Sequence, residues 1–397
     1  MPENKTKPEI RFKGFTYAWE LSALGDIFKY EQPLEYIVKS TKYDDKNKIP
    51  VLTAGQSFIL GYTNEEFGIK DASERNPVII FDDFTTSSHY VDFPFKVKSS
   101  AMKLLTLSNI NHNIHCTYNI LKNINYVPVS HERHWISIFS KFDVLLPKEP
   151  KEQQKIGNFF KNLDKIIDLH QRKCEKLQTI KESLLSKMFP SDGKSILEIR
   201  FNGYTYAWQH LKITEVGKVF IGLVTTMTKH YTECGTLLIR NSDIKDGKFD
   251  FGDDLIYLEK SFAENNSTRM HQLGDVITVH TGDVGTSAVI TKNEEKSIGF
   301  ATIVTRPNKQ IIDSNYLCTF LNTNKHKKWA ISISTGDGRT NYNLGDYYKL
   351  IIPIPTLKEQ QKIGNFFKNL DKIIDLHKLK YEKLQTIKKS LLGKMFC

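Results

Sequence analysis

The sequence predicts an α+β protein in which two unlike mixed blocks are joined by a pair of long antiparallel coiled-coil helices, related by a pseudo-two-fold internal repeat. Three observations predict this architecture: a long segment occurs twice, apolar residues within it follow heptad spacing, and short strand-like runs fill the blocks between the copies. The 397 residues are enough for two or three domains with cores of their own.

The repeat consists of short opening tags and long closing segments. Residues 9–20 read EIRFKGFTYAWE and residues 198–209 read EIRFNGYTYAWQ, with nine identities in twelve. The twenty letters KEQQKIGNFFKNLDKIIDLH at 151–170 return at 358–377, and the copies agree at 34 of 39 positions when extended to 189 and 396. The blocks between tag and closing segment show little likeness. We therefore interpret the constant parts as a frame and the variable blocks as the parts that select a target.

Each closing segment is predicted to be one long helix, entered from a proline-bearing stretch, and the first ends at Pro190. Its apolar residues recur at spacings of four and three, which is typical of a coiled coil. Two near-identical stripes pair most simply about a two-fold axis, which makes the helices antiparallel; the alternative is that each helix packs only on its own block. The residues predicted to pair the helices are Ile156, Phe160, Leu163, Ile167, Leu177, Leu184, Ile363, Phe367, Leu370, Ile374, Leu384 and Leu391.

Four polar residues also fall on this seam: His170, Lys181, His377 and Lys388. Polar seam residues usually fix the register of a coiled coil, and a proton switch at the histidines is the alternative.

The positive charge is concentrated in the predicted helices. Residues 151–189 and 358–396 together carry +10 of the net +11. A basic balance favours a polyanionic partner such as nucleic acid. The lysine-rich helix faces could lie near phosphates, meet acidic proteins, or simply be solvated. Because the blocks are nearly neutral, any DNA binding by them should depend on selective base contacts.

The variable blocks contain strand-like runs such as IPVLTA and PVIIFDDFTTSSHYVDF in the first, and TLLIRNSDI, GDVITVHTGDVGTSAVI, ATIVTRP and KLIIPIP in the second. Polar clusters beside these runs have the side chains that read base edges, although the same residue types also build ordinary turns. The candidate DNA-binding residues are Thr53, Gly55, Gln56, Thr85, Thr86, Ser87, His89 and Arg133 in the first block, and Arg240, Asn241, His280, Thr281, Asp283, Arg339, Asn341 and Tyr342 in the second. We expect Arg133 and Arg339 to share one role, because they precede their helices by similar distances.

Motifs for catalysis and metal binding are absent or incomplete. There is no G-x-x-x-x-G-K-[ST] loop, no G-x-G-x-x-G loop, no N-P-P-aromatic tetrapeptide and no G-x-S-x-G elbow. Asp82 and Asp83 lack a lysine at a convincing nuclease spacing. NHNIHC at 111–116 and HERH at 131–134 do not match a metal-site spacing, so no metal is expected. These absences favour a binding subunit over a catalyst.

Five well-separated cysteines without a C-x-x-C pair indicate reduced thiols. No apolar run is long enough to span a membrane, and the sequence MPENKTKPEI does not look like a signal peptide. A cytoplasmic location and no membrane partner are therefore expected.

The closing segments PKEPKEQQKIG and PTLKEQQKIG with their long helices, the Y-A-W tags, LGDI, LGDVI and STGDGRTNYNL resemble the specificity subunit of Type I restriction-modification systems. The resemblance spans essentially the whole chain. It departs from the usual pattern in the first block, where DDFTTSSHYVDF replaces the glycine-rich loop suggested by HTGDVGTSAV in the second.

The resemblance implies a non-catalytic subunit that recognises a bipartite site in double-stranded DNA. It implies a first target recognition domain with its tag at 1–147, a central conserved helix at 148–190, a second recognition domain at 191–354 and a C-terminal conserved helix at 355–397. Two methyltransferase subunits and restriction/translocase subunits are the implied partners. No cofactor is expected on this chain, and S-adenosylmethionine, ATP and Mg²⁺ are expected on the partners. The alternatives are a stand-alone duplicated DNA-modifying enzyme and a DNA-bridging protein.

Overall fold

The structure is a computed structural model that describes residues 7–55, 57–128, 133–190, 197–334 and 341–396. The chain forms two compact units, one made of Met1–His170 with Lys380–Cys397 and the other of Gln171–Leu379. Among the described residues, no helix combines the length and apolar character needed to cross a lipid bilayer.

Among the described residues, the first unit contains nine strands, three complete helices and parts of the two long helices. Its strands are β1 Glu20–Ala23, β2 Phe28–Glu31, β3 Ile49–Leu52, β4 Ile59–Thr63, β5 Val78–Asp82, β6 Ser88–Val91, β7 Lys96–Val97, β8 Met102–Leu107 and β9 Asp143–Leu146. Its helices are α1 Leu24–Ile27, α2 Ile114–Asn123, α3 His134–Ser137 and the start of α4 Pro150–Met188, with 3₁₀ turns at Pro33–Tyr36 and Phe139–Lys141.

The second unit is built from the remaining elements. Its strands are β10 Gln209–Lys212, β11 Gly217–Ile221, β12 Tyr231–Thr232, β13 Thr236–Ile239, β14 Ile244–Lys245, β15 Lys248–Phe249, β16 Tyr257–Leu258, β17 Val276–Thr278, β18 Ser287–Val289, β19 Ile298–Gly299, β20 Ile303–Pro307 and β21 Ile351–Ile354. Its helices are α5 Ile213–Val216, α6 Lys260–Asn265, α7 Ser314–Leu321, α8 Asn324–Ile333, α9 Leu344–Tyr347 and α10 Leu357–Met395, with 3₁₀ turns at Thr228–His230, Asn241–Asp243 and Ser267–Arg269.

The two units share a sheet topology despite their unlike sequences. A four-stranded antiparallel sheet has the order β2-β8-β5-β6 in the first unit and β11-β20-β17-β18 in the second. Each unit also has one parallel strand pair, β3 with β7 in the first and β13 with β19 in the second. The strand after each opening tag pairs antiparallel with the strand before each long helix, β1 with β9 and β10 with β21. Each strand-like run identified in the sequence contains at least one of these strands, so the predicted α+β class with its internal repeat is confirmed.

In the first unit the start of α4 packs against the end of α10. Ile156, Phe160, Leu163 and Ile167 are buried in one core with Met395 and Phe396, and the half-buried Leu384 and Leu391 pack against it. The Phe160 and Phe396 ring centroids lie 5.7 Å apart. In the second unit the end of α4 meets the start of α10: half-buried Leu177 and Leu184 pack on buried Ile363, Phe367, Leu370 and Ile374. The predicted antiparallel pairing is therefore present in both units.

Residues of the repeated motif E-Q-Q-K-I-G attach each opening tag and its block to a long helix. Buried Glu152 accepts two hydrogen bonds from Arg11 of the tag, at 2.6 and 2.8 Å. Gln153 Oε1 accepts the Asn113 N–H at 3.0 Å. A Cβ on Gly157 would lie 1.9 Å from Asn113 Oδ1, so only glycine admits the start of α2 so close to α4. The second unit repeats this arrangement with Arg200 on Glu359, the Asp313 N–H on Gln360, and Gly364 facing α7.

The seam lysines make equivalent ion pairs between the paired helices. Lys388 Nζ lies 2.5 Å from Asp164 Oδ1 in the first unit, and Lys181 Nζ lies 2.7 Å from Asp371 Oδ1 in the second. Sliding one helix along the other would leave these half-buried or buried lysines without their carboxylates, which is costly at a partly desolvated seam. The pairs therefore support the predicted register role. His170 and His377 are half-buried on the same seam.

Candidate nucleic-acid interface

In the first unit, two of the predicted polar loops meet at one backbone carbonyl. Ala54, between the candidates Thr53 and Gly55, follows β3, and its oxygen accepts a hydrogen bond from Ser87 Oγ at 2.8 Å. His89 Nε2 lies 3.2 Å from the same oxygen. Thr53 Oγ1 donates to Ser57 O, which closes the first loop on itself. Gln56 lies outside the described residues.

The turn between β5 and β6 presents its hydroxyl groups to solvent. Asp82 Oδ1 accepts the N–H groups of Phe84 and Thr85 at 2.8 and 3.1 Å. Thr86 is held at φ +60°, a left-handed conformation that β-branched residues rarely adopt. Thr85 and Ser87 are exposed, and their hydroxyl oxygens lie 2.9 Å apart. The tip is a fixed array of hydrogen-bonding groups.

His89 is placed as a neutral hydrogen-bonding group. Its ring stacks on Phe58 with centroids 4.4 Å apart and planes at 17°. Burial lowers the pKa of His89, so the imidazole is uncharged at neutral pH. It therefore contributes polarity rather than positive charge to this surface.

A buried ion pair supports the turn from beneath. Lys103 Nζ lies 2.7 Å from Asp83 Oδ2, and both side chains are almost completely inaccessible to solvent. Asp83 Oδ1 accepts the Trp135 N–H at 3.0 Å, and the Asp83 backbone oxygen accepts the His134 N–H at 3.0 Å. These bonds place the exposed Arg133 beside the turn. Lys103 of β8 is the lysine partner of Asp83 that the spacing in the sequence did not indicate. Because both side chains are buried, we interpret the pair as structural.

We call Thr53–Gly55, Thr85–His89 and Arg133 the first polar cluster. Its residues come from the loops that follow β3 and β5, from the start of β6 and from the entry to α3.

In the second unit, one asparagine joins three loops. Asn241 Oδ1 accepts the His280 N–H at 2.8 Å, and its Nδ2 donates to the backbone oxygens of Phe300 and Ala301 at 3.3 and 3.1 Å. Thr281 Oγ1 donates to Asn341 Oδ1 at 2.8 Å. Residues 241, 280–281, 300–301 and 341, far apart in the sequence, thus form what we call the second polar cluster.

Three further predicted residues of the second unit also have their functional groups engaged within the protein. Arg240 forms ion pairs with Asp243 and Asp254 at 2.9 and 2.7 Å. Asp283, although exposed, accepts a hydrogen bond from Thr286 Oγ1 at 2.7 Å. The Tyr342 side chain is completely buried, and its N–H donates to His280 O at 2.8 Å. These side chains shape the cluster. Asn241, His280, Thr281 and Asn341 are bonded within the cluster as well, but they stay half-exposed. Arg339 lies outside the described residues.

The two clusters occupy the same topological positions. The first follows β3 and lies between β5 and β6; the second follows β13 and lies between β17 and β18. His134 N–H donates to Asp83 O in one, and Tyr342 N–H donates to His280 O in the other. This correspondence places Arg133 and Asn341 at equivalent positions, and the shared role expected of Arg133 and Arg339 stays a prediction. Phe300, which sequence reasoning missed, carries no motif, and only its exposure at the cluster reveals it.

The histidines and cysteine of NHNIHC pack within the first unit. His115 packs on Tyr90, with ring centroids 4.7 Å apart, and Cys116 is buried. Burial and nearby Lys161 lower the pKa of His115 to about 4. In the described part of the chain, no group of three or more His, Cys, Asp or Glu residues is arranged to hold a metal ion.

Comparison with known proteins gives concordant similarities. The family model for the Type I restriction modification DNA specificity domain matches residues 17–179 and again residues 207–386. The specificity subunit of the Type I restriction enzyme EcoR124I/EcoR124II from Escherichia coli is 30% identical over 361 residues, which cover 88% of this chain and 85% of that protein. The MjaVIII specificity subunit from Methanocaldococcus jannaschii is 20% identical over 404 residues, covering 94% and 91%. In fold, the S subunit crystal structure from M. genitalium matches with a TM-score of 0.70 at 13% identity, covering 98% and 99%.

Proposed function

Because the chain belongs to the family of Type I restriction-modification specificity subunits, we propose that it recognises a bipartite DNA target, with each polar cluster reading one half-site. The observation that carries the proposal is the topological equivalence of two clusters built from different side chains. Equivalent placement suits two readers of one duplex, and unlike side chains suit two different base sequences. Asparagine, histidine, serine and threonine are groups that hydrogen-bond to base edges.

Catalysis belongs to partner subunits in this proposal. The chain directs methyltransferase subunits that bind S-adenosylmethionine, and restriction/translocase subunits that use ATP and Mg²⁺. The paired helices set the separation of the half-sites, so the spacer between them has a fixed length. Their lysine-rich faces add attraction toward phosphates or acidic partner surfaces.

Methylome sequencing tests the bipartite target. Cells that lack other adenine methylation would express the chain with its methyltransferase partner, and we expect one two-part motif with a fixed spacer. Asn241→Ala removes the bonds to His280 and to the Phe300–Ala301 turn, and should relax one half of the motif only. Ser87→Ala removes the bond to Ala54 and should relax the other half only. Each lost base contact corresponds to about 1–3 kcal/mol of discrimination.

Four results would contradict this function. The first is a continuous motif, and the second is a variant that relaxes both halves at once. The third is methylation or cleavage of DNA by the purified chain alone with S-adenosylmethionine or Mg²⁺, which would favour the stand-alone enzyme. The fourth is DNA binding without any methylation by the co-expressed partner, which would favour a DNA-bridging protein.

A duplicated apolar stripe is our proposed docking surface for the methyltransferase subunits. Phe159, Ile166 and Leu169 lie exposed on α4, and their equivalents on α10 are Phe366, Ile373 and Leu376. Ile166 and Ile373 are 46% and 45% exposed, and Phe159 and Phe366 are 36% and 37% exposed, so these two pairs match in accessibility as well as in sequence. Two copies of one surface fit two copies of one partner.

Charging one stripe should remove one methyltransferase subunit. Ile166→Glu or Ile373→Glu alone should leave complexes with a single methyltransferase copy, and the double variant should leave none, because a charge within an apolar interface is desolvated without a partner. Native mass spectrometry of the purified complex measures this. Leu379→Glu is the matched control, since Leu379 is 62% exposed on α10 but its equivalent position in α4 is Arg172. Equal subunit ratios in the Ile373 and Leu379 variants would contradict the docking surface.

A further inference from the structure

An exposed phenylalanine stands in the second polar cluster with its backbone held on both sides. Phe300 follows β19, and its side chain is 41% exposed. The Phe300 N–H donates to Ile239 O and the Ala301 N–H donates to Leu223 O, both at 2.8 Å. The carbonyl oxygens of Phe300 and Ala301 accept the Asn241 amide. The ring is therefore presented to solvent from a fixed backbone.

The turn that carries Phe300 is strained. Ala301 has φ +48°, in the left-handed region that favours glycine. A conformation of this kind persists only where surrounding contacts over-determine it, and such turns concentrate at functional sites. Here the contacts to Leu223, Ile239 and Asn241 supply that constraint.

The side chains joined to the Phe300 turn through Asn241 are polar and uncharged. Asn241, whose amide bonds the turn, also bonds the backbone of His280. Burial lowers the pKa of His280, so its imidazole is neutral at pH 7. A single ring among amide, hydroxyl and imidazole groups offers far less apolar area than a stable protein interface needs. It suits a nucleic acid, whose bases combine polar edges with apolar faces and methyl groups.

We propose that Phe300 makes the apolar base contact of the second polar cluster, either against the face of a base or against a thymine methyl group. The inference rests on the proposed function, because it requires that this cluster meets DNA. The first unit differs at the equivalent position. There the Lys98 N–H donates to Leu52 O, as the Phe300 N–H donates to Ile239 O, and the Lys98 ammonium lies 6.0 Å from the Tyr43 ring centroid. The two half-sites are thus read with different chemistry.

The test uses the full chain assembled with its methyltransferase partner, and a DNA duplex carrying the motif found for the wild-type complex. Phe300→Ala should weaken binding by about 5- to 150-fold, the equivalent of ~1–3 kcal/mol at 1.4 kcal/mol per factor of ten. Melting temperature and subunit ratio should stay unchanged, because the ring is exposed. Tyr231→Ala is the matched control: Tyr231 is an aromatic residue of β12 that is 42% exposed and lies across β16 from the first residue of β13, whereas Phe300 lies beyond the last residue of β13.

Two further arms separate the kinds of base contact. Against a base face, Phe300→Leu should lose as much affinity as Phe300→Ala, and replacing thymine by uracil in the second half-site should change nothing. Against a thymine methyl, Phe300→Leu should retain most of the affinity, and the wild-type complex should bind the uracil duplex as weakly as Phe300→Ala binds the thymine duplex.

The proposal is overturned if Phe300→Ala and Phe300→Leu both bind the motif as tightly as Tyr231→Ala does. It is also overturned if either variant loses its methyltransferase subunits, since Phe300 would then belong to a protein contact. A wild-type complex that yields no bipartite motif would instead refute the proposed function, and the inference with it.

Discussion

Replacing Leu163 and Leu370 by aspartate should unfold the paired helices, because each leucine lies in the apolar seam of its own unit. Both side chains are only 9% exposed, one in the core with Phe160 and Phe396, the other in the core with Phe367 and Ile374. An unpaired carboxylate at such a site costs on the order of 3–5 kcal/mol. That is a large share of the ~5–15 kcal/mol by which domains are typically stable.

Thermal unfolding followed by circular dichroism at 222 nm measures this effect. Leu163→Asp alone should destabilise the first unit and Leu370→Asp alone the second, with the double variant showing both losses. Leu169→Asp and Leu376→Asp introduce the same charge on the same helices at positions 62% and 50% exposed, and should melt close to wild type. Seam variants that melt together with these controls would argue against helix pairing in solution.

Lys103→Ala should destabilise the first unit more than any exposed lysine substitution in it. Lys103 and Asp83 are 0% and 1% exposed at the side chain and lie 2.7 Å apart. Removing the ammonium leaves the Asp83 carboxylate buried with the Trp135 N–H as its remaining hydrogen-bond donor in the described structure. Breaking a buried ion pair in this way costs about 3–5 kcal/mol.

Urea denaturation at constant pH measures the free energy of unfolding of these variants. Lys148→Ala is the control, since Lys148 pairs with Glu20 at 2.8 Å but both side chains are more than half exposed, and its loss should change stability little. The double variant Asp83→Asn with Lys103→Met removes both charges and should recover much of the stability. A Lys103→Ala protein as stable as Lys148→Ala would show that the pair contributes nothing to the turn between β5 and β6.

The duplicated motif has a structural role, whereas the two polar clusters differ between the units. Glu152, Gln153 and Gly157 bind the tag and the start of α2 through a charged pair, an amide and a close backbone approach. Their counterparts around Gly364 do the same in the second unit. These contacts involve the constant segments and the start of one helix in each block. They do not involve the loops at the strand ends, which can therefore differ between the units.

The helices and their pairing faces follow from the sequence alone. α4 begins at Pro150 and ends just before Pro190, as the prolines predict, and the heptad residues lie in the seam. These features depend on local periodicity and on helix-breaking residues within a few positions of one another. The duplication then supplies two copies of one surface, and two such copies pair most simply about a two-fold axis. The antiparallel arrangement therefore also follows from the sequence.

Only the tertiary structure decided which polar residues share a surface and which are used internally. Asn241 meets His280 and Phe300 because separate strands of the second unit bring their ends together, and no spacing in the sequence encodes that meeting. Tyr342 is buried for the same reason, because its burial and its bond to His280 O depend on neighbours distant in the chain. Periodicity thus determined the frame of this protein, whereas long-range packing determined the chemistry that the frame presents.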